Sequence, residues 1–168
     1  MKTRLAALLA CMALSAPLAA QQFDTISFGV DGGYPPFDVL APSGEITGFD
    51  IDIANALCTQ LKAKCVFVKQ PFESMIAALN AHKFDAIIAS LNITDERKKE
   101  VDFTDRYYRS AAQLVARKGS PLLPEVASLK GKTVGVQTGS THEAFAKANW
   151  ANHGVKIVGY ANQDNVYR

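Results

Sequence analysis

Past residue 20 this sequence has no long apolar run, so no later segment can cross a bilayer as a helix. It also lacks an excess of either charge. Eighteen Lys and Arg stand against sixteen Asp and Glu, and Lys2 and Arg4 are the only charged residues before Asp24. Beyond that point the chain is balanced, which gives no support to a nucleic-acid partner. Cysteine and histidine are scarce, three of each. Two thiols without a nearby His or Cys make a poor metal site, so neither a metal nor a cofactor is expected. Internal repeats and low-complexity tracts are missing as well. What the chain does have is apolar residues, 48% of its length. That suffices for a core and argues against disorder.

The opening "MKTRLAALLACMALSAPLAA" has the layout of a secretory signal. Lys2 and Arg4 form a basic start, Leu5 to Leu14 an apolar stretch, and "APLAA" offers small residues for cleavage near Ala20. "LLAC" at Cys11 loosely resembles a lipobox, but a cut there would leave an apolar stretch of only a few residues. The expectation is a signal peptide over 1–20 and an exported, periplasmic product. Export keeps Cys58 and Cys65 as a pair in an oxidising compartment, late in one element and early in the next. A disulfide is expected there, stapling a helix exit to a strand entry.

The remaining pattern alternates. "TISFGV" (25–30) reads as a strand, and "DGGYPPFDV" as a loop rich in Gly and Pro. "GFDIDIANALCTQL" (48–61) reads as a helix, with Ile53, Leu57 and Leu61 recurring at helical spacing beside Ala54. "CVFVK" is a strand, "PFESMIAALNAHK" a helix, and "FDAIIAS" a strand apolar enough to be buried on both faces. "TDERKKEV" (94–101) is a short helix, and "RSAAQLVARKG" is extended. A second unit comes next, with a short helix in "SPLLPEVASLKGK", a strand in "TVGVQTG" and a helix in "STHEAFAKANWANHG". A strand in "VKIVGYA" and a helix beginning in "NQDNVYR" close it. Alternation at these lengths implies an α/β fold.

Arg97 poses a problem on this reading. It falls in the first turn of the helix expected at 94–101, where the backbone dipole already presents positive charge. Two readings fit. Asp95 and Glu96 offset it on a solvated face, or an anion is meant to sit there, gripped by the planar guanidinium fork and free backbone N–H groups.

The stretches "GVDGGYPPF", "GEITGFDIDIANALC", "DAIIASLNITDERKKEVDFT", "LKGKTVGVQTGSTHEAF" and "YANQDN" together resemble the periplasmic amino-acid-binding proteins of ABC importers, the family 3 solute-binding proteins. The likeness is greatest to the lysine/arginine/ornithine and histidine binders, and it runs from about Gly29 to Asn165. It implies a type II periplasmic-binding-protein fold, two α/β lobes with the ligand between them. Lobe 1 would span 21–110, a first hinge strand 111–116, and lobe 2 117–168.

The resemblance also implies a site. Arg97 falls on the family's carboxylate-binding arginine. Ser140, Thr141 and His142 bring donors across the cleft, and Ser140 with Glu143 also forms a capping box. Asp31 sits where basic-amino-acid binders hold an acid facing the ligand side chain. Tyr34 and Phe72 match the aromatics that sandwich the ligand. Ala89, Ser90 and Asn92 line the site between them. Ala89 and Asn92 stand where several relatives carry serines, so Ala89 lacks a hydroxyl while Asn92 keeps its backbone N–H. The ligand implied is arginine, lysine, ornithine or histidine, with an opine left open. The partner implied is a membrane permease, and the protein is expected to be a monomer and not an enzyme. The family's second lobe continues past this point with an acid for the α-amino group and a second hinge strand, so a truncated second lobe is expected. Two other classes share the fold. One is a ligand-sensing domain of a signalling protein. The other is an exported dehydratase, which would need an acid/base pair in the cleft. His142 is the only histidine near the site.

Overall fold

The computed structural model of the protein describes residues 23–168. The signal peptide expected over 1–20, with Cys11, lies outside them. The first lobe is built on β1 (Thr25–Val30), β5 (Lys64–Lys69) and β6 (Ala86–Ile87). They form a parallel sheet with β1 in the centre, Thr25 to Val30 aligned with Lys64 to Lys69, and Phe28 and Gly29 opposite Ala86 and Ile87. Helix α1 (Phe49–Leu61) covers one face, where Ile51, Ala54 and Cys58 pack on Phe28, Val30 and Ile88. Helix α2 (Met75–Asn80) covers the other, placing Met75 and Ala78 against Phe84 and Ala89. Gly29 allows the second layer to close, because a Cβ there would lie 2.5 Å from the Phe84 ring.

The buried stripe of α1 differs from the one the sequence suggested. Leu57 and Leu61 are exposed, and the inward face is Ile51, Ala54 and Cys58, with Asp50 fully buried beside it. Both stripes satisfy helical spacing. What fixes the rotation is the Cys58–Cys65 disulfide, with Cα atoms 5.8 Å apart, which turns Cys58 towards β5. The expected Gly/Pro-rich loop is also more ordered than a loop. Strands β2 (Gly33–Tyr34), β3 (Asp38–Leu40) and β4 (Ile46–Thr47) form a small antiparallel sheet. Strands of two or three residues are too short to leave a periodic signal.

The helix expected at 94–101 shrinks to a 3-10 turn over Arg97–Lys99. The expected hinge strand at 111–116 is not a strand: residues 101–116 form neither helix nor strand. A strand exists by pairing, and this segment finds no ladder partner among the described residues. It is anchored at both ends instead. Tyr107 and Tyr108 pack on Phe37 and Phe49 in the first lobe. Leu114 and Leu122 pack on the core of the second.

The second lobe comprises α3 (Val126–Leu129), β7 (Thr133–Gln137), α4 (Thr141–Asn149), β8 (Lys156–Tyr160) and α5 (Gln163–Tyr167). Strands β7 and β8 are parallel and in register from Thr133↔Lys156 to Gln137↔Tyr160. Leu129, Val136, Ala146, Trp150 and Val155 form the core. In both lobes the parallel strands point their carboxyl ends at the same cleft, the usual location for a ligand in such sheets.

Candidate functional site

The cleft is assembled from the segments that leave those strand ends. Asp31 comes directly after β1 and is only 5% exposed. Burial pushes its carboxyl above the ordinary range, opposed by hydrogen bonds from the Gln137 side chain and the Phe72 backbone and by the charge of Lys69. Its own backbone N–H donates to Asp38 Oδ2 at 3.1 Å, and Tyr34 N–H donates to Asp38 Oδ1 at 3.2 Å. Asp38 thus ties down the loop that presents both Asp31 and Tyr34. It is fully buried, and burial together with Asp31 and Asp50 nearby pushes its carboxyl up to about 6. The Tyr34 ring stacks on Phe37 with centroids 5.1 Å apart, and burial raises its hydroxyl to about 12.

The turn after β5 supplies Phe72, and the segment after β6 supplies Ala89, Ser90 and Asn92. The methyl of Ala89 lies in the core with Met75, Ala78 and Phe84. Ser90 adopts the left-handed backbone, with φ of 50°, and its Oγ donates to Asp50 Oδ2 at 2.8 Å. The Tyr107 hydroxyl donates to the other oxygen of Asp50 at 3.1 Å. The two bonds hold the buried Asp50 carboxylate and lock the β6 exit to the start of the segment between the lobes.

Arg97 is half-buried, and its guanidinium carbon lies 5.7 Å from the centre of the Phe72 ring. Nη1 donates to the Asn92 carbonyl at 2.8 Å, and Nη2 reaches the second lobe, donating to the Gly139 carbonyl at 3.0 Å. Burial lowers its pKa without removing its charge. Among the described residues no carboxylate pairs with it. Asp95 and Glu96, the offsetting acids of the solvated-face reading, pair with Lys98 and Lys99 instead.

The second lobe meets these groups with the β7–α4 turn. Gly139 adopts φ of +77°, and a Cβ there would sit 2.8 Å from the Glu73 Cα. Ser140 caps α4, its Oγ accepting from Glu143 N–H at 3.1 Å. The reciprocal half of the capping box is shifted by one residue: Glu143 Oε2 accepts from Gly139 N–H at 2.8 Å. Thr141 Oγ1 accepts from Asn92 Nδ2 at 2.7 Å, another bond across the cleft. His142 is exposed on α4. The structure therefore brings Asp31, Tyr34, Phe72, Asn92, Arg97, Ser140 and Thr141 to one cleft. Ser90 turns its hydroxyl, and Ala89 its methyl, into the first lobe. No group of three or more His, Cys, Asp or Glu side chains among the described residues could hold a metal ion.

Four groups of the site were not picked out in the sequence: Asp38, Asp50, Tyr107 and Gln137. Asp50 had a signal, as an acid placed by helical spacing next to the buried positions Ile51 and Ala54. Gln137 had a weaker one, as a polar residue ending an otherwise apolar alternation.

Comparison with known proteins supplies the family. Residues 26–163 match the model of the bacterial extracellular solute-binding proteins, family 3. The chain belongs to this family. It is 47% identical over 144 residues to the lysine/arginine/ornithine-binding periplasmic protein of Escherichia coli, an alignment covering 86% of this chain and 55% of that protein. It is 46% identical over 142 residues to the histidine-binding periplasmic protein of Salmonella typhimurium, covering 84% of this chain and 55% of that protein. A solved structure of an ancestral arginine-binding protein bound to arginine superposes with a TM-score of 0.82 at 38% identity, covering 87% of this chain and 65% of that one. The chain thus spans little more than half the length of these two periplasmic relatives. The two-lobed fold expected for a type II periplasmic-binding protein is the fold observed.

Proposed function

We propose that the full-length protein carrying this sequence is the extracytoplasmic binding component of an ABC amino-acid importer, and that it captures a basic amino acid between its lobes. One observation carries this reading. Arg97 is a half-buried guanidinium that no carboxylate among the described residues neutralises, while Asp31 is a buried carboxylate in the same cleft. An amino acid with a cationic side chain supplies the missing partner for each. The α-carboxylate takes the remaining N–H donors of Arg97, assisted by Asn92 N–H and the Thr141 hydroxyl, while Ser140, whose donors are held by the Gln137 carbonyl, fixes the turn that presents Thr141. The side-chain cation goes to Asp31, with Tyr34 and Phe72 against its methylenes and head group. Ala89 and Ser90 contribute through their backbone, and His142 stands at the rim. The relatives named above as binders of lysine, arginine, ornithine or histidine support this ligand class.

The residues between Tyr108 and Leu114 act as the hinge in this reading, with lobe 1 ending near residue 110. The leader directs export to the periplasm, where the monomer delivers its ligand to a membrane permease. Among the described residues His142, exposed on α4, and Asp31, engaged by Gln137, do not form the acid/base pair that a dehydratase needs.

Calorimetry on the full-length protein tests the reading. Arginine, lysine, ornithine or histidine should bind tightly and lose most of that affinity in Asp31→Asn. Equal affinity for glutamine and glutamate, or turnover of prephenate, would overturn it.

A further inference from the structure

One polar contact in the cleft has no ligand-binding role in that reading. Gln137 is the last residue of β7 and only 4% exposed. Burying an amide costs about 1–3 kcal/mol unless it is hydrogen-bonded, and Val136 beside it shows what this strand otherwise buries. The partner is across the cleft: Gln137 Nε2 donates to Asp31 Oδ2 at 3.0 Å. The backbone of Gln137 is fixed as well, because its carbonyl accepts from Ser140 Oγ at 2.6 Å and from Ser140 N–H at 3.2 Å.

Chemistry orients the amide. An ionised carboxylate only accepts, so the amide nitrogen faces Asp31 and the carbonyl Oε1 is the other arm of the same planar group. The result is a pair of acceptors supplied by different lobes, the Asp31 carboxylate with one oxygen already engaged and a neutral carbonyl oxygen beside it. A guanidinium presents several donors in a rigid planar fork and can span two such acceptors. An ammonium is a compact point charge and gains less from their spacing.

We propose that Gln137 is a specificity-determining residue of the cleft, which shares Asp31 with the side-chain cation of the ligand and favours a guanidinium over an ammonium. The proposal rests on the basic-amino-acid reading above. It adds that the second lobe helps to read the side chain, whereas the sequence assigned that task to the first lobe alone.

The amide has a second effect on its partner. Besides Gln137, burial and three groups act on the Asp31 carboxyl: burial and the nearby Asp38 oppose its ionisation, while Lys69 at the end of β5 and the Phe72 N–H favour it. The Gln137 donor belongs with the last two. Removing it should raise the pH at which Asp31 becomes charged. A residue that merely helps the lobes to touch would not do this.

The test uses the full-length protein, with arginine and lysine titrated by calorimetry from acid to neutral pH. In the parent, arginine affinity should fall as Asp31 protonates. In Gln137→Leu, arginine binding at neutral pH should weaken about tenfold to a hundredfold, the loss of one or two hydrogen bonds to a charged group. Lysine should weaken by only a few fold, and the arginine midpoint should move to higher pH. Gln137→Asn, shorter by one methylene, should behave like the Leu variant, and it provides the same reading if the Leu variant fails to fold. An equal loss for both ligands with an unmoved midpoint would overturn the proposal, as would unchanged affinity. A parent that binds neither ligand would bring down the ligand reading and the proposal with it. Binding that is unaffected by Asp31→Asn would show that the cation is read elsewhere.

Discussion

The guanidinium of Arg97 lies over the Phe72 ring at 5.7 Å while its two terminal nitrogens donate to carbonyls of different lobes, Asn92 in the first and Gly139 in the second. The ring sets the plane of the fork and the carbonyls set its rotation. A group held in this way presents its remaining donors in a fixed geometry, which favours binding by lowering the ordering cost. On the proposed reading Arg97 takes the carboxylate common to all amino acids, so Arg97→Lys should weaken every ligand by the same factor. Two hydrogen bonds to a charged group, at about 1.5–3 kcal/mol each, put that factor above a hundred. Calorimetry with arginine, lysine and histidine measures it, and a loss confined to one of them would show that Arg97 reads a side chain.

How much of this was legible in the sequence depended on how local the signal was. Ser140 and Glu143 announced the start of α4, because a cap is written within four residues. The staple between Cys58 and Cys65 was legible because the export expected from the leader and an even cysteine count after it suffice. Arg97 stood out as a charge placed against the backbone dipole. By contrast, the bond between Gln137 and Asp31 joins residues 106 apart, and nothing local in either stretch encodes their meeting. The buried face of α1 was half legible: Ala54 is buried and Ile53 packs at the edge of the core, but two stripes share one periodicity, and only the position of β5 shows that Ile51 and Cys58, not Leu57 and Leu61, complete the inward face. The sheet formed by β2, β3 and β4 left no pattern because its strands are shorter than one period of alternation plus its repeat.

The buried carboxylates make stability depend on pH with an unusual sign. Asp38 has a folded pKa of about 6 against an ordinary value of 3.8, raised first by burial. A group raised in this way contributes stability that is complete below its unfolded pKa and is lost as pH rises through the folded one. Asp31 and Asp50 are raised too, chiefly by burial, and act in the same direction. Asp85, lowered by hydrogen bonds from Ser27, acts only at more acid pH. The melting temperature should therefore be higher at mildly acid pH than at mildly alkaline pH. For Asp38 the whole shift corresponds to about 3 kcal/mol, lost between its ordinary value and about 6, so that only part of it separates mildly acid from mildly alkaline pH. Asp38→Asn should flatten the difference, although it loses one of the two backbone bonds. A melting temperature that rises steadily from pH 5 to 8 would refute this account.

The disulfide closes a short loop, with seven residues of separation between Cys58 and Cys65. The chain-entropy model gives about 2–3 kcal/mol for a loop of that size. Cys58 also belongs to the core of the first lobe, so Cys58→Ala should cost more than Cys65→Ala by the packing that its sulfur provides. Reduction should add one pair of hydrogens to the intact mass and lower the denaturation midpoint. Free thiols in the native protein would contradict the pairing.

Gly139 tests whether closure of the lobes is a packing event. Its φ of +77° costs an L-residue about 1–2 kcal/mol, and a Cβ there would sit 2.8 Å from the Glu73 Cα, closer than the two can pack. Glu73 belongs to the first lobe, so the clash in Gly139→Ala arises only when the lobes meet. The same change displaces the carbonyl that accepts from Arg97 Nη2. Each lobe alone should tolerate the methyl apart from the backbone strain, whereas the closed form should not. The expected result is a uniform loss of affinity for all ligands through faster release, since interface changes act mostly on dissociation. The melting temperature without ligand should fall only slightly, and the rise in melting temperature on adding arginine should shrink. Solution scattering with saturating arginine should report a larger radius of gyration than in the parent. If Gly139→Ala closes around arginine as the parent does, the contact between Gly139 and Glu73 is not what limits closure, and the hydrogen bonds that Asn92, Arg97 and Asp31 make with the second lobe, together with the packing of Asn162 on Gly33, must hold it.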